Sequence, residues 1–172
     1  MIEQHFIDDG LLQLRKLKEL ADNALAQVKQ DDLFAVLDPE ANSIAVLMKH
    51  MAGNMRSRWT DFLTTDGEKP DRERDQEFII DGGNTHAQVV ATWEDGWSRL
   101  FAAISALTPD DLGKTVQIRG QAHTVVEAIN RQLIHYAEHV GQIVLLAKHY
   151  AGPTWKSLSI PRGKSKEHLR SR

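Results

Sequence analysis

Three histidines have the side-chain type and the spacing that could bind a metal ion. His135 and His139 are four residues apart in a segment with helical periodicity, so both side chains point to one side of the helix. His50 lies in a second such segment, in a polar row beside an apolar stripe. Two histidines on one helix and one on another can converge at the edge of a helical bundle. Three imidazoles with an open position are the ligand set of catalytic zinc or nickel sites.

The histidine spacing by itself does not establish a metal site. A chain of 172 residues with eight histidines can contain one such pair by chance, and the histidines could instead be hydrogen-bonded or on the surface. His135, Glu138 and His139 also match the inverted zinc-protease pattern H-x-x-E-H, in which the glutamate is the general base. Those enzymes need a further glutamate well downstream, and only Glu167 follows here. We therefore keep Glu138 as a possible pocket residue and assign no catalytic residue.

Other polar residues could lie near such a site. Asn54 is four residues after His50 and could orient a bound water or ligand, although a simple polar bundle edge accounts for it equally well. His86 begins the third helical segment, where a histidine at the edge of the core is favoured over a metal ligand. Several arginines could receive an anionic substrate, but pairing with neighbouring acids is the simpler interpretation: they are Arg56, Arg58, Arg72 and Arg74.

Four segments with helical periodicity must position these residues. They run from about Glu3 to Lys29, from Asn42 or Ser43 to Phe62, from Thr85 to Leu107, and from Thr124 to a stop at Gly152 and Pro153. Ser43 is a favourable N-cap. Thr124 is followed three residues later by Glu127, which predicts a capping box.

A short β-hairpin is expected between the third and fourth helices. Val116 and Ile118 alternate with polar residues within 114–121, and the dipeptide Arg119-Gly120 indicates a turn.

The lengths of the connecting segments predict the helix order. A 20-residue helix is about 30 Å long, and an extended chain covers about 3.3 Å per residue, so about ten residues can run back along a bundle. The polar link 63–83 has twice that length and can join two parallel helices, whereas the link 30–41 is short. We expect an all-α protein, a four-helix bundle in up-down-down-up order, with the short hairpin as an addition.

The composition is typical of one globular domain spanning residues 1–172, with 41% apolar and 26% charged residues. The absence of cysteine excludes disulfides, thiolate zinc sites and iron–sulfur clusters. A net charge of −3 gives no general attraction to nucleic acid, and the longest apolar run, 143–147, is too short to span a membrane. Acidic residues in the first ten positions argue against a signal peptide. We expect a cytoplasmic protein with no nucleic-acid or membrane partner.

The C-terminal tail differs from the rest of the chain. Residues 156–172 hold six of the 21 basic residues and one of the 24 acidic ones. We expect residues 155–163 of this basic tail to pack on the bundle or on a second subunit.

Three long segments resemble a bacterial family of unknown function in the DinB-like, damage-inducible superfamily. They are KHMAGNMRSRWTDFLTTDGEKPDRERDQEF (49–78), IRGQAHTVVEAINRQLIHYAEHVGQIVLLAKH (118–149) and SLSIPRGKS (157–165). The resemblance covers most of the chain and implies a four-helix bundle in up-down-down-up order. It also implies a divalent metal, nickel or zinc, bound by His50, His135 and His139.

The resemblance also bears on activity. Some members of this superfamily are metal-dependent transferases that use small thiols such as bacillithiol or mycothiol, and others are hydrolases. We therefore expect a small-molecule substrate or thiol, with a non-catalytic metal- or ligand-binding bundle, or a metal-free dimeric interaction protein, as the alternatives. A homodimer is expected because superfamily relatives are often dimeric and because apolar residues such as Ile134 and Leu145 lie away from the main stripe of the last helix.

Overall fold

The computed structural model describes the backbone of residues 1–170 and the side chains of residues 1–167. Within that range the chain is mostly helical, with five α-helices and one two-stranded antiparallel hairpin. The elements in chain order are α1 (Ile2–Leu25), α2 (Ile44–Trp59), α3 (His86–Ser105), β1 (Thr115–Ile118), β2 (Gln121–Thr124), α4 (Val125–Ala151) and α5 (Ser165–Arg170). Within the described residues, none of the helices combines the length and apolar character that a membrane span requires.

The long helices begin where the sequence provides a cap. The Ser43 hydroxyl accepts a hydrogen bond from the backbone N–H of Val46 at the start of α2. Thr124 and Glu127 form the predicted capping box at the start of α4. A capping box that the sequence analysis did not include, between Thr85 and Gln88, starts α3. The helix starts are therefore close to the predicted ones, whereas α1 and α2 end about three to four residues earlier than predicted.

The hairpin between α3 and α4 is present as predicted. Arg119 and Gly120 both have positive φ angles, 55° and 70°, and they connect β1 to β2 in a tight turn. Gly67, in the link after α2, donates its backbone N–H to the Gln117 carbonyl (2.8 Å). The carboxylate of Asp66 accepts backbone N–H groups from Arg119 and Gly120 at 2.9 and 2.7 Å. The hairpin is therefore attached to the α2–α3 link.

The α2–α3 link is more structured than the predicted loop. Residues Arg74–Phe78 form a 3₁₀ turn that packs against α2. Ser57 holds the preceding part of the link, because its hydroxyl donates to the Gly67 carbonyl (2.8 Å) and accepts from the Lys69 N–H (3.0 Å). The link thus forms a fixed wall beside α2.

The core lies between the four long helices. The largest fully buried side chains include Trp93 and Trp97 of α3 and Tyr136 of α4. α2 packs most extensively against α3, and α1 packs most extensively against α4. A methyl group on Gly96 of α3 would lie 2.9 Å from the Ala52 Cα, so glycine allows the backbones of α2 and α3 to approach closely.

The beginning of the basic tail packs on the helices. Gln27, just after α1, makes two hydrogen bonds with the backbone of Lys156, at 2.7 and 3.1 Å. Trp155 and Leu158 are partly buried against the core. Residues 159–163, which were expected to pack as well, are exposed, and the short helix α5 follows. Ser171 and Arg172, also part of the predicted tail, lie outside the described residues.

Candidate metal centre

The three histidines singled out in the sequence lie together. His50 comes from α2, and His135 and His139 come from successive turns of α4. Each contributes one ring nitrogen to a cluster in which all three atoms lie within 4.8 Å of one another. The Nε2 atom of His135 is 3.3 Å from that of His50 and 3.1 Å from that of His139. His50 is buried, and the other two rings are partly buried.

The opposite ring nitrogens of two histidines are hydrogen-bonded to acceptors. Nδ1 of His50 lies 2.8 Å from the Glu77 carboxylate, and Nδ1 of His139 lies 2.8 Å from Oε1 of Gln142. Because these oxygens accept hydrogen bonds, each Nδ1 carries the proton and each Nε2 presents a lone pair to the cluster. Such outer hydrogen bonds fix the tautomer and orientation of metal-binding histidines.

Two of the three nitrogen separations in the cluster match those around a tetrahedral metal ion. Zinc–nitrogen bonds of about 2.0–2.1 Å at tetrahedral angles place two ligand nitrogens about 3.3–3.4 Å apart. The two shortest Nε2 separations, 3.1 and 3.3 Å, are close to that value. Neutral imidazoles suit zinc and nickel. The three histidines could therefore hold a metal ion.

Burial keeps His135 neutral. Desolvation is the main cause, and repulsion from His139 and His50 adds to it, so that the pKa of His135 is lowered to about 3. Its Nδ1 atom is buried and has no hydrogen-bond partner within the described part of the chain. His135 is therefore available as an uncharged ligand over the whole neutral and mildly acidic range.

Glu77 is the main contributor to the site that the sequence analysis did not identify. It lies in the 3₁₀ turn of the α2–α3 link and is buried. Arg72 binds both oxygens of its carboxylate, from Nε to Oε1 at 2.8 Å and from Nη2 to Oε2 at 2.9 Å. Burial alone would raise the pKa of Glu77, but the hydrogen bonds from His50 and Arg72 outweigh it and lower the pKa. Glu77 is thus held as a carboxylate against His50.

The surroundings of Glu77 are shaped to hold it there. A Cβ at Gly53 of α2 would lie 2.7 Å from the Glu77 Cδ, so the carboxylate occupies space that only glycine leaves. The centroids of the Phe78 and His50 rings are 4.8 Å apart, so Phe78 packs against His50. A glycine in the interior of a helix lowers stability by about 1 kcal/mol relative to alanine. Gly53 was therefore the one feature of the sequence that indicated a close approach to α2 at this point.

The other predicted pocket residues lie at different distances from the cluster. Asn54 is buried one turn after His50, where its side-chain oxygen accepts from the Tyr136 hydroxyl (2.9 Å). That hydroxyl accepts in turn from the Trp59 indole N–H (3.0 Å). Glu138 is exposed and lines a cavity beside the histidines. His86, the first residue of α3, belongs neither to the cluster nor to that cavity.

The cavity next to the cluster has a volume of about 290 Å³ and is lined by His50 and His135 together with Asn54 and Glu138. We call it the arginine cavity because five arginines line it: Arg58, Arg72, Arg74, Arg119 and Arg131. Three of them are in ion pairs, and the Arg72–Glu77 pair is of the kind that the sequence suggested. Arg72 binds Glu77, and Glu68 contacts Arg58 and Arg119 at 3.1 and 3.0 Å.

The fold and the site together define a class of protein, a helical protein with three clustered histidines that could hold a metal ion. A family model described as "Protein of unknown function (DUF1572)" matches residues 1–164. The chain belongs to this family. A search of curated proteins found no significant match.

Proposed function

We propose that this protein is a metal-dependent enzyme of the DinB-like superfamily that acts on a small molecule, with nickel or zinc held by His50, His135 and His139. The observation that carries the proposal is the convergence of three Nε2 atoms, with the rings of His50 and His139 oriented from behind by Glu77 and Gln142. The lone pairs of His50 and His139 and the third Nε2 atom meet at one position, which is where a metal ion would bind.

We also propose that the chain folds as a single-domain four-helix bundle in up-down-down-up order. Contacts along the helices support this order. Arg15 lies over the Phe101 ring and Lys18 pairs with Glu94, so α1 and α3 run in opposite directions. Along α1 and α4, Gly10 is next to Ile129 and Gln27 is bonded to Lys156, as expected for parallel helices.

The relation between α2 and α4 completes that order. Trp59, at the end of α2, is bonded to Tyr136 in the first half of α4. Leu47, near the start of α2, lines a small pocket with Leu146 near the end of α4. These contacts support antiparallel helices, which is the arrangement that brings His50 opposite the histidine pair.

The protein's own residues would prepare the site for catalysis. Glu77 and Gln142 keep two imidazoles in one tautomer, and Arg72 keeps Glu77 ionised. A divalent ion held by three neutral imidazoles supplies a Lewis acid that lowers the pKa of a bound water or thiol. The arginine cavity gives a substrate access to His50 and His135. Transfer of a small thiol or hydrolysis is the reaction class that we propose.

We further propose that the protein is a cytoplasmic homodimer. Ile134 and Leu145 of α4 are 69% and 66% exposed. They are eleven residues apart, which places them on one side of the helix. A second copy of the chain would cover this apolar pair. The absence of cysteine is in keeping with a reducing compartment.

The proposal is tested by metal content after loading with nickel or zinc. His139→Ala removes one of three ligands, and we expect it to lose most of the bound metal while the fold persists, because the core does not depend on His139. His149→Ala is the matched control, since His149 is an exposed histidine on the same helix. Equal metal per chain in wild type and His139→Ala would rule out the three-histidine site.

A further inference from the structure

The arginine cavity opens directly onto the candidate metal centre. Two of the three clustered histidines, His50 and His135, line both the cluster and the cavity. A molecule in the cavity would therefore touch the same rings as the metal. The cavity volume of about 290 Å³ is at the lower end of the usual range for small-molecule sites, about 300–1,000 Å³. The space thus suits one small molecule, or one end of a larger one.

The charge lining this cavity is strongly positive. Five arginines contribute to its wall, against a single carboxylate, that of Glu138. Glu68 and Glu77 neutralise part of this charge from behind the wall, through their ion pairs with Arg58, Arg72 and Arg119. Positive charge still exceeds negative charge around the cavity, before any metal ion is added.

Two of the arginines are not committed to a close ion pair. Arg131, on the first half of α4, has neither a hydrogen bond nor an ion pair from its side chain within residues 1–167. The nearest carboxylate to Arg74 is that of Asp75, at 3.9 Å, and the Asp75 side chain is 97% exposed. Their planar guanidinium groups can bind a carboxylate or phosphate through two parallel hydrogen bonds.

Deeper in the wall, buried polar groups also lack partners. Arg58 and Gln132 are 4% and 3% exposed, and both line the cavity. The Arg58 Nε–H and the Gln132 Oε1 atom have no hydrogen-bond partner in the described part of the protein. Buried polar groups are normally satisfied, so an unpaired donor and an unpaired acceptor show that the protein's own groups do not complete this wall.

We infer that the arginine cavity is an anion site that binds the carboxylate or phosphate group of the small-molecule substrate. Arg74 and Arg131 bind the anion at the rim, and the buried guanidinium group of Arg58 adds positive charge from the wall. The inference rests on the proposed function in that it assigns the anion to the substrate of the histidine centre. It adds the substrate class, a small organic anion.

The test measures anion binding by calorimetry to protein of known metal content, using succinate and glycerol 3-phosphate as the two probes. The test variant is Arg74→Gln with Arg131→Gln. The control is Arg15→Gln with Arg162→Gln, which makes the same change in net charge at positions that do not line the cavity. Each protein is measured with and without nickel, because an anion could also bind to the metal directly.

We expect one of the probes to bind to wild type and to the control, and to bind about tenfold more weakly or worse to the test variant at equal metal content. The probe that binds more tightly identifies the group as a carboxylate or a phosphate. Equal affinities in the test variant and the control, or no binding of either probe to wild type, would overturn the inference. Metal content is measured separately. If wild type takes up no nickel, that result counts against the proposed function and not against the anion site.

Discussion

The two sides of α2 differ in what they bury. The side that faces α3 is apolar and closely packed, and Ala52 and Met55 lie against Gly96 with no room for a further methyl group. The side that faces α4 and the α2–α3 link is polar and equally buried: its residues include His50, Asn54, Ser57 and Arg58. One helix therefore carries both a packing surface and a polar surface at the same degree of burial.

The apolar side of α2 contributes mainly to stability, and its polar side carries a residue of the candidate metal centre. Apolar burial contributes about 25 cal/mol per Å² and needs no specific partner. Buried polar groups cost free energy unless each finds a partner, and here they find it in Glu77, Tyr136, Gly67 and Glu68. Each of these buried polar residues therefore depends on one particular partner for its hydrogen bonds. Mutations on the two sides should therefore affect different properties.

The largest effect on stability is expected from a substitution in the apolar core. Trp97→Ala removes a fully buried indole from α3 and should lower the free energy of unfolding by about 3–5 kcal/mol. Urea unfolding followed by circular dichroism measures this change. The folded fraction should bind the same amount of metal as wild type. A large loss of metal affinity in this variant would mean that the two sides of α2 are not separable.

Acid should destabilise the metal-free protein because the partly buried His135 resists protonation when the chain is folded. The pKa of His135 is about 3 in the folded chain, against about 6.5 when unfolded. Between these values the unfolded chain binds a proton that the folded chain does not, so stability falls as the pH falls below 6.5. The free energy of unfolding should fall by at most about 1.4 kcal/mol per pH unit through this group.

Unfolding measured with chelator at pH 7 and pH 4.5 tests this acid effect, because most carboxylates titrate at or below the lower pH. His135→Asn cannot titrate, and the loss of stability between the two pH values should be smaller in this variant. The same pH dependence in wild type and His135→Asn would show that another group is responsible.

Glu77→Gln should weaken metal binding. It removes the charge that faces His50 and leaves Arg72 without its bidentate partner. Loss of such an outer hydrogen bond to a metal ligand typically costs about 10–100-fold in metal affinity. Competition with a chelator of known affinity measures the change. Glu73→Gln, an exposed acid in the same link, is the control and should bind metal as wild type does.

Gly53→Ala should reproduce part of the Glu77→Gln effect without altering any charged group. The added methyl group would overlap the Glu77 carboxylate and displace it from His50. Gly141→Ala is the matched control, because nothing lies within 4 Å of a Cβ at that position of α4. The control should be unchanged or stabilised by about 0.5–1 kcal/mol. Wild-type metal affinity in Gly53→Ala would show that Glu77 does not position His50.

The smallest effect on the fold is expected from the exposed apolar pair. Ile134→Lys with Leu145→Lys should change the free energy of unfolding by less than about 0.5 kcal/mol per substitution, because both side chains are on the surface. The proposed homodimer should dissociate, since two charges on each subunit would be buried in the interface. Light scattering of wild type and variant measures this. A dimer mass for both would place the interface elsewhere, and a monomer mass for wild type would rule out the homodimer.

The helices and the histidine cluster could be predicted because their signals are local. Caps at Ser43 and Thr124 and the turn at Arg119-Gly120 are specified by neighbouring residues. His135 and His139 share a helix face through their spacing alone. The placement of His50 opposite them followed from the resemblance, since periodicity gives the face of a helix but not the neighbour that it meets.

Glu77 could not be predicted because the choice among acids is made by tertiary packing. The link after α2 contains several acidic residues within a few positions: Glu68, Asp71, Glu73, Asp75 and Glu77. Sequence spacing does not distinguish them, and only the 3₁₀ turn at Arg74–Phe78 brings Glu77 into the gap left by Gly53. The arginine cavity was missed for a related reason, since Arg119 and Arg131 come from the hairpin and α4, far along the chain from Arg72.

The attachment of the hairpin turn to Asp66 has a consequence for the order of folding. Asp66 is 53 residues from Arg119 and 54 from Gly120, and His50 is 85 residues from His135. Closing loops of this length loses chain entropy, and the contacts of α3 with α2 help to offset that loss. We expect the wall of the arginine cavity to assemble after the apolar core. If the wall forms last, uptake of a metal ion reports the completion of folding.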